Sequence, residues 1–110
     1  MTVSVLDILL IVFSHFFADF VFQSDWMALN KSKRNSALGI HCLVYGMFFL
    51  GYGWIFAAFA GASHFIIDWL TSRGMSILWK KEKRYLFFVL VGFDQAVHMT
   101  VLVFLKGATP

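Results

Sequence analysis

The sequence holds one cysteine, Cys42, so no internal disulfide can form and no pair of thiolates is available to a soft metal. Alone, Cys42 reads as a small buried hydrophobe. Charge is equally scarce: only 14% of the 110 residues are Asp, Glu, Lys or Arg, there is one proline, and 60% are hydrophobic. A soluble domain of this size leaves too much of its surface in water to hide that much apolar area, which leaves lipid as the matching solvent. No repeat and no low-complexity stretch divides the chain, so 1–110 reads as a single transmembrane helical domain. Met1–Val3 lacks a basic residue and no small-residue cleavage site follows the first apolar run. A removable signal peptide is therefore not expected.

The apolar residues fall into four runs. The first extends from about Val5 to Leu29, with Ser4 or Asp7 placed to cap it. Polar Asn30–Ala37 reads as a loop. A second, short run begins at Leu38 and ends at Gly51-Tyr52-Gly53, where the glycines suit a tight turn. The third, Trp54 to about Leu70, opens with Ala57, Ala58, Ala60, Gly61, Ala62 and Ser63, small residues that let helices approach closely in lipid. Met75–Trp79 reads as an interfacial extension, and Tyr85–Leu105 is the fourth run. The expected fold is all-α, an integral membrane bundle of four transmembrane helices; three spans plus a re-entrant hairpin is the alternative.

The pI of about 9.3 does not point to nucleic acid, because the basic residues flank the apolar runs. Residues 30–37 and 80–84 hold seven of the nine. The positive-inside rule then places both loops in the cytoplasm and both termini outside, in a bacterial inner membrane. Arg73 and the Lys80–Arg84 run read as interface anchors.

A charge at the bilayer centre costs about 2.5–3.5 kcal/mol even on the lenient insertion scale, so the polar residues inside the runs carry the information. His15, Asp19 and Gln23 are spaced four apart on one helix face. His64 and Asp68 repeat the spacing, Asp94 and His98 reverse it, and Gln95 and His41 complete the set. Every histidine and three of the five aspartates belong to it. Counting at roughly 1.5 Å per residue places most of them at comparable depth, with His41 nearest the surface. One His–Asp pair would read as an interhelical hydrogen bond. Three pairs and a fourth histidine read as a site built from residues that bind divalent metal and move protons.

The order His15-x3-Asp19-Phe20-x2-Gln23, Met27-Ala28-x2-Lys31, His41-x3-Tyr45, His64-x3-Asp68 and Asp94-Gln95-x2-His98 resembles the bacterial and phage membrane-protein family catalogued as domain of unknown function 3307. The resemblance covers nearly the whole chain. It implies these polar positions and no established activity. One departure stands out: a lysine associated with the third position after the aspartate of His-x3-Asp is here Thr71, leaving Arg73 to substitute or the interaction absent.

Imidazoles and carboxylates without thiolates suit zinc, manganese or iron, with zinc or manganese expected. The expected ligands are His15, Asp19, His64, Asp68, Asp94 and His98, with Asp19 and Asp94 as catalytic candidates and Gln23, His41 and Gln95 supporting them. Buried in lipid, such a site would activate water against a lipid-borne ester or phosphoester. A proton- or cation-conducting bundle would use the same groups. The remaining alternative is a phage or bacterial protein that binds and modulates a membrane partner. A chain this small has little room to enclose so many groups, so a homo-oligomer is expected.

Overall fold

The computed structural model describes residues 2–109, and among these the regular structure is entirely helical. Helix α1, Val5–Phe16, starts at a reciprocal cap: Ser4 Oγ accepts the Asp7 N–H and the Asp7 carboxylate accepts the Ser4 N–H, each at 3.0 Å. It passes directly into a π-helical turn, Phe17–Val21. The chain then turns at Phe22, and Ser24 accepts the Met27 N–H to start a new short helix, α2, Asp25–Asn30. The run expected as one helix from Val5 to Leu29 is therefore two, because a serine cap followed by Asp25 restarts the helix before it crosses the full distance.

Helix α3 spans Asn35–Met47, and a 3-10 turn, Leu50–Tyr52, closes at Gly53 with φ +107°, a backbone setting that glycine adopts without a Cβ clash. Helix α4, Trp54–Lys80, runs unbroken through Met75–Trp79, the segment expected as a separate extension. Gly74 instead gives room to the neighbouring helix: a Cβ there would stand 3.0 Å from Leu90 Cδ2 on α5, Arg84–Ala108.

Helix α4 is the axis, with α3 packed on one flank and α5 on another, while α1 closes against α5. The α3–α4 crossing is glycine-made. A Cβ at Gly46 would lie 3.2 Å from the Ala57 carbonyl oxygen, and one at Gly61 would lie 3.2 Å from that of Cys42. Small residues at this seam let backbone meet backbone, as the sequence led one to expect. The apolar core is small, gathered around Ile11, Tyr45, Phe49, Phe56 and Leu102.

Outside that core the surface is strongly apolar. Val5, Leu43, Trp54, Tyr85 and Phe104 are each more than 70% exposed. Both α4 and α5 are long and apolar enough to cross a membrane. Helix α1 has 12 residues, its π turn 5 and α3 13, so these fall short of the same criterion. Gly107 sits against Val3, and Lys106 lies 5.7 Å from the Tyr52 ring, which gathers the two chain ends and the 50–53 turn at one end of the bundle. Arg73 donates to Asn35, and Lys33 and Lys80 line one pocket, so the basic segments meet at the other end.

Candidate metal centre

Four elements each send ionisable side chains to one buried place: Asp19 from the π turn, His41 from α3, His64 and Asp68 from α4, and Asp94 and His98 from α5. None is more than 4% exposed. A single chain thus encloses all six of these side chains.

The first half of the site is a tetrad. His41 Nε2 lies 3.0 Å from Asp19 Oδ1, 3.0 Å from His64 Nε2 and 3.6 Å from Asp68 Oδ2; His64 Nε2 lies 3.4 Å from Asp19 Oδ1 and 3.2 Å from Asp68 Oδ2. Four vertices held roughly 2.0–2.1 Å from a common centre, as tetrahedral zinc holds nitrogen and oxygen, are separated by about 3.3–3.4 Å. The five observed edges straddle that value, so the tetrad can hold a metal ion.

Hydrogen bonding alone satisfies this arrangement poorly. The two Nε2 atoms face each other and both face Asp19 Oδ1, so only one of them can carry a proton without two ring N–H groups competing for the same space. Their lone pairs converging on a cation would not conflict. The His41 and His64 Nδ1 atoms have no partner among the described residues. His64 is instead positioned by stacking, with ring centroids 3.9 Å from Tyr45 and 4.1 Å from His98.

The second half shares the carboxylates. Asp68 turns Oδ2 to the tetrad and Oδ1 to His98 Nε2 at 3.1 Å, and His98 Nε2 is also 3.1 Å from Asp94 Oδ1. Asp19, Asp94 and His98 form a further group able to hold a metal ion. Asp19 belongs to both groups.

His15 stands beside these groups rather than in them. Gln95 Oε1 can only accept, so the 2.6 Å contact fixes the proton on His15 Nε2, and Nδ1 accepts from the Tyr45 hydroxyl at 2.8 Å. Both nitrogens are engaged, leaving no lone pair for a metal. Gln95 in turn donates to Asp94 Oδ2 at 3.1 Å and to Asp19 Oδ2 at 3.4 Å. Gln23 is absent from the network, and its Oε1 has no partner among the described residues. The stripe His15-Asp19-Gln23 presumes a regular helix; the π turn and the break at Phe22 keep Asp19 inside and turn Gln23 away.

His41, expected nearest the membrane surface and in a supporting place, is wholly enclosed by protein within the tetrad. Depth counted from Leu29 sets Asp19 too far in. Its helical segment ends at Val21, only two residues beyond it, so Asp19 meets His41 six residues into α3.

Two polar partners answer the departure at Thr71. The Thr71 hydroxyl donates to Asp94 Oδ1 at 2.6 Å, and Lys31 Nζ donates to Asp68 Oδ2 at 3.2 Å. Burial works against the Lys31 ammonium, but Asp68, with Asp19 behind it, outweighs this and raises its pKa. Arg73 does not substitute: it donates to the Trp69 carbonyl and Asn35 and lies over the Trp69 ring. Lys31 read as a loop cation; its place within Met27-Ala28-x2-Lys31 was the one signal of a further role.

A helical bundle of apolar surface, enclosing His and Asp groups able to hold a metal ion, is the class of protein these features define. A family model described as "Protein of unknown function (DUF3307)" matches residues 5–109, and the chain belongs to that family. No curated protein matches the chain, and no solved structure matches it.

Proposed function

We propose that this chain is an integral membrane protein of the bacterial inner membrane that binds zinc or manganese and hydrolyses a lipid-borne phosphoester. The observation that carries the reading is the Asp19–His41–His64–Asp68 tetrad, in which five ligand-to-ligand distances of 3.0–3.6 Å bracket those around a tetrahedral ion. The shared use of Asp19 and Asp68 by His98 and Asp94 supports a second ion or a bound water beside the first. Membrane insertion is supported by the apolar exterior and by α4 and α5; α1 with its π turn and α3 complete a four-helix bundle within the bilayer. The one-ended basic segments support cytoplasmic loops and external termini.

A bound divalent ion supplies Lewis acidity toward a phosphoryl oxygen and lowers the pKa of water. The chain's own residues do the rest. His41, His64, Asp19 and Asp68 would hold the ion, and Tyr45 stacking fixes the His64 plane. Asp94, held by Thr71 and Gln95, fixes His98, which would take and return a proton.

Elemental analysis of the detergent-purified chain, with turnover of phosphatidic acid followed by phosphate release, tests the reading. At least one equivalent of zinc or manganese is expected, with release abolished by chelator. A folded chain without stoichiometric metal, equally active in chelator, would falsify it and leave ion conduction or partner binding.

A further inference from the structure

The two basic segments, separate in sequence, meet around one pocket of ≈ 470 Å³ between residues 28–33, the last turns of α4 and the start of α5. Lys31, Lys33 and Lys80 line it and no acidic residue does. Its deeper wall holds Ser72, 4% exposed, whose Oγ has no partner among the described residues. Trp79 and Phe87, with ring centroids 5.0 Å apart, form an apolar wall. Lys33 and Lys80, which make no ion pair among the described residues, and an unsatisfied hydroxyl suit a phosphate, and the aromatic wall suits hydrocarbon attached to it.

The pocket is joined to the metal centre. Lys31 lines the one and donates to Asp68 of the other, and Ser72 follows Asp68 by one turn of α4. We infer that this pocket binds the phosphate headgroup of an anionic membrane lipid bearing a phosphomonoester, and that Lys31 marks its route to the centre. Binding rests on the membrane reading alone; delivery rests also on the hydrolase reading.

The chain reconstituted in phosphatidylcholine vesicles carries its own reporter in Trp79. Dibrominated acyl chains quench a nearby indole, so quenching by brominated phosphatidic acid is compared with quenching by brominated phosphatidylcholine, with Trp79→Phe identifying the share due to that residue. Phosphatidic acid is expected to be preferred by about tenfold or more, the scale of one charge-assisted contact. The double variant Lys33→Gln/Lys80→Gln changes two exposed side chains, so the fold and metal content should persist while the preference falls toward unity. Ser72→Ala should lower it by a few fold.

Equal quenching by both lipids in the wild type, an undiminished preference in the double variant, or displacement of the lipid by millimolar inorganic phosphate would each overturn the inference. The last outcome would assign the pocket to the free anion. A chain that prefers phosphatidic acid yet releases no phosphate leaves the inference standing and removes the hydrolase. Phosphate release with an unchanged KM in the double variant removes the inference alone.

Discussion

His41 Nε2 lies 3.0 Å from His64 Nε2, with Asp19 Oδ1 close to both. Two imidazoles on different helices thus turn the same nitrogen toward one point. That geometry separates a ligand from a supporting histidine. His41→Ala and His64→Ala should each lose the stoichiometric metal, whereas His15→Ala, which removes only contacts to Tyr45 and Gln95, should retain it and lower affinity by roughly 10–100-fold. Metal analysis after gel filtration checks this. Retention of metal by His41→Ala would displace the tetrad from the centre of the proposal.

Thr71→Val keeps the shape of the side chain and removes its hydroxyl. Asp94 Oδ1 would lose its 2.6 Å donor while His98 and Gln95 remain. A loss of about 1–3 kcal/mol in reversible unfolding from detergent is expected, with Thr71→Ser restoring most of it. A stability equal to wild type would show that the hydroxyl is dispensable.

Gly46→Ala and Gly39→Ala should act in opposite directions. The added methyl at Gly46 meets backbone on α4, which cannot rotate away, and should destabilise by about 1–3 kcal/mol while spreading His41 from His64. At Gly39 nothing lies within 4 Å, so helix propensity alone should stabilise by up to about 1 kcal/mol. Thermal unfolding of the two variants, with metal affinity measured alongside, distinguishes seam from surface.

Orientation is open to labelling. Single cysteines at exposed Ser36, Glu82 and Ala108, with Cys42 replaced by alanine, report on the two ends of the bundle. In intact cells an impermeant thiol reagent should modify the Ala108 variant and spare the other two. The reverse pattern would invert the bundle.

Much of the site was legible in the sequence because an apolar composition makes ionisable groups conspicuous. His64-x3-Asp68 and Asp94-x3-His98 sit on regular helices, and their regular spacing placed them together correctly. Asp19 was set too deep because its depth was counted along an unbroken first helix from Leu29. The cap at Ser24 and the π turn, which have no hydrophobic period, redefine that count. The tie from Lys31 to Asp68 spans 37 residues, and no local spacing encodes it. The glycine seam was signalled by composition on α4, while its partner Gly46 stood in an otherwise ordinary apolar run.

The π turn at Phe17–Val21 contains one residue more than an α-helical turn would need, and that surplus sets the angular relation between α1 and the chain beyond Val21. Adding one further residue ahead of Asp19, where the turn already holds its surplus, would rotate α1 by about 100° against Asp19. His15 would then swing away from Tyr45 and Gln95, and Ile11 would leave the core, although no residue of the site had been altered. The centre is therefore sensitive to chain length at this turn in a way that substitutions would never reveal: exposed Phe17, Phe20 and Val21 are individually replaceable by apolar residues, yet the number of positions is fixed.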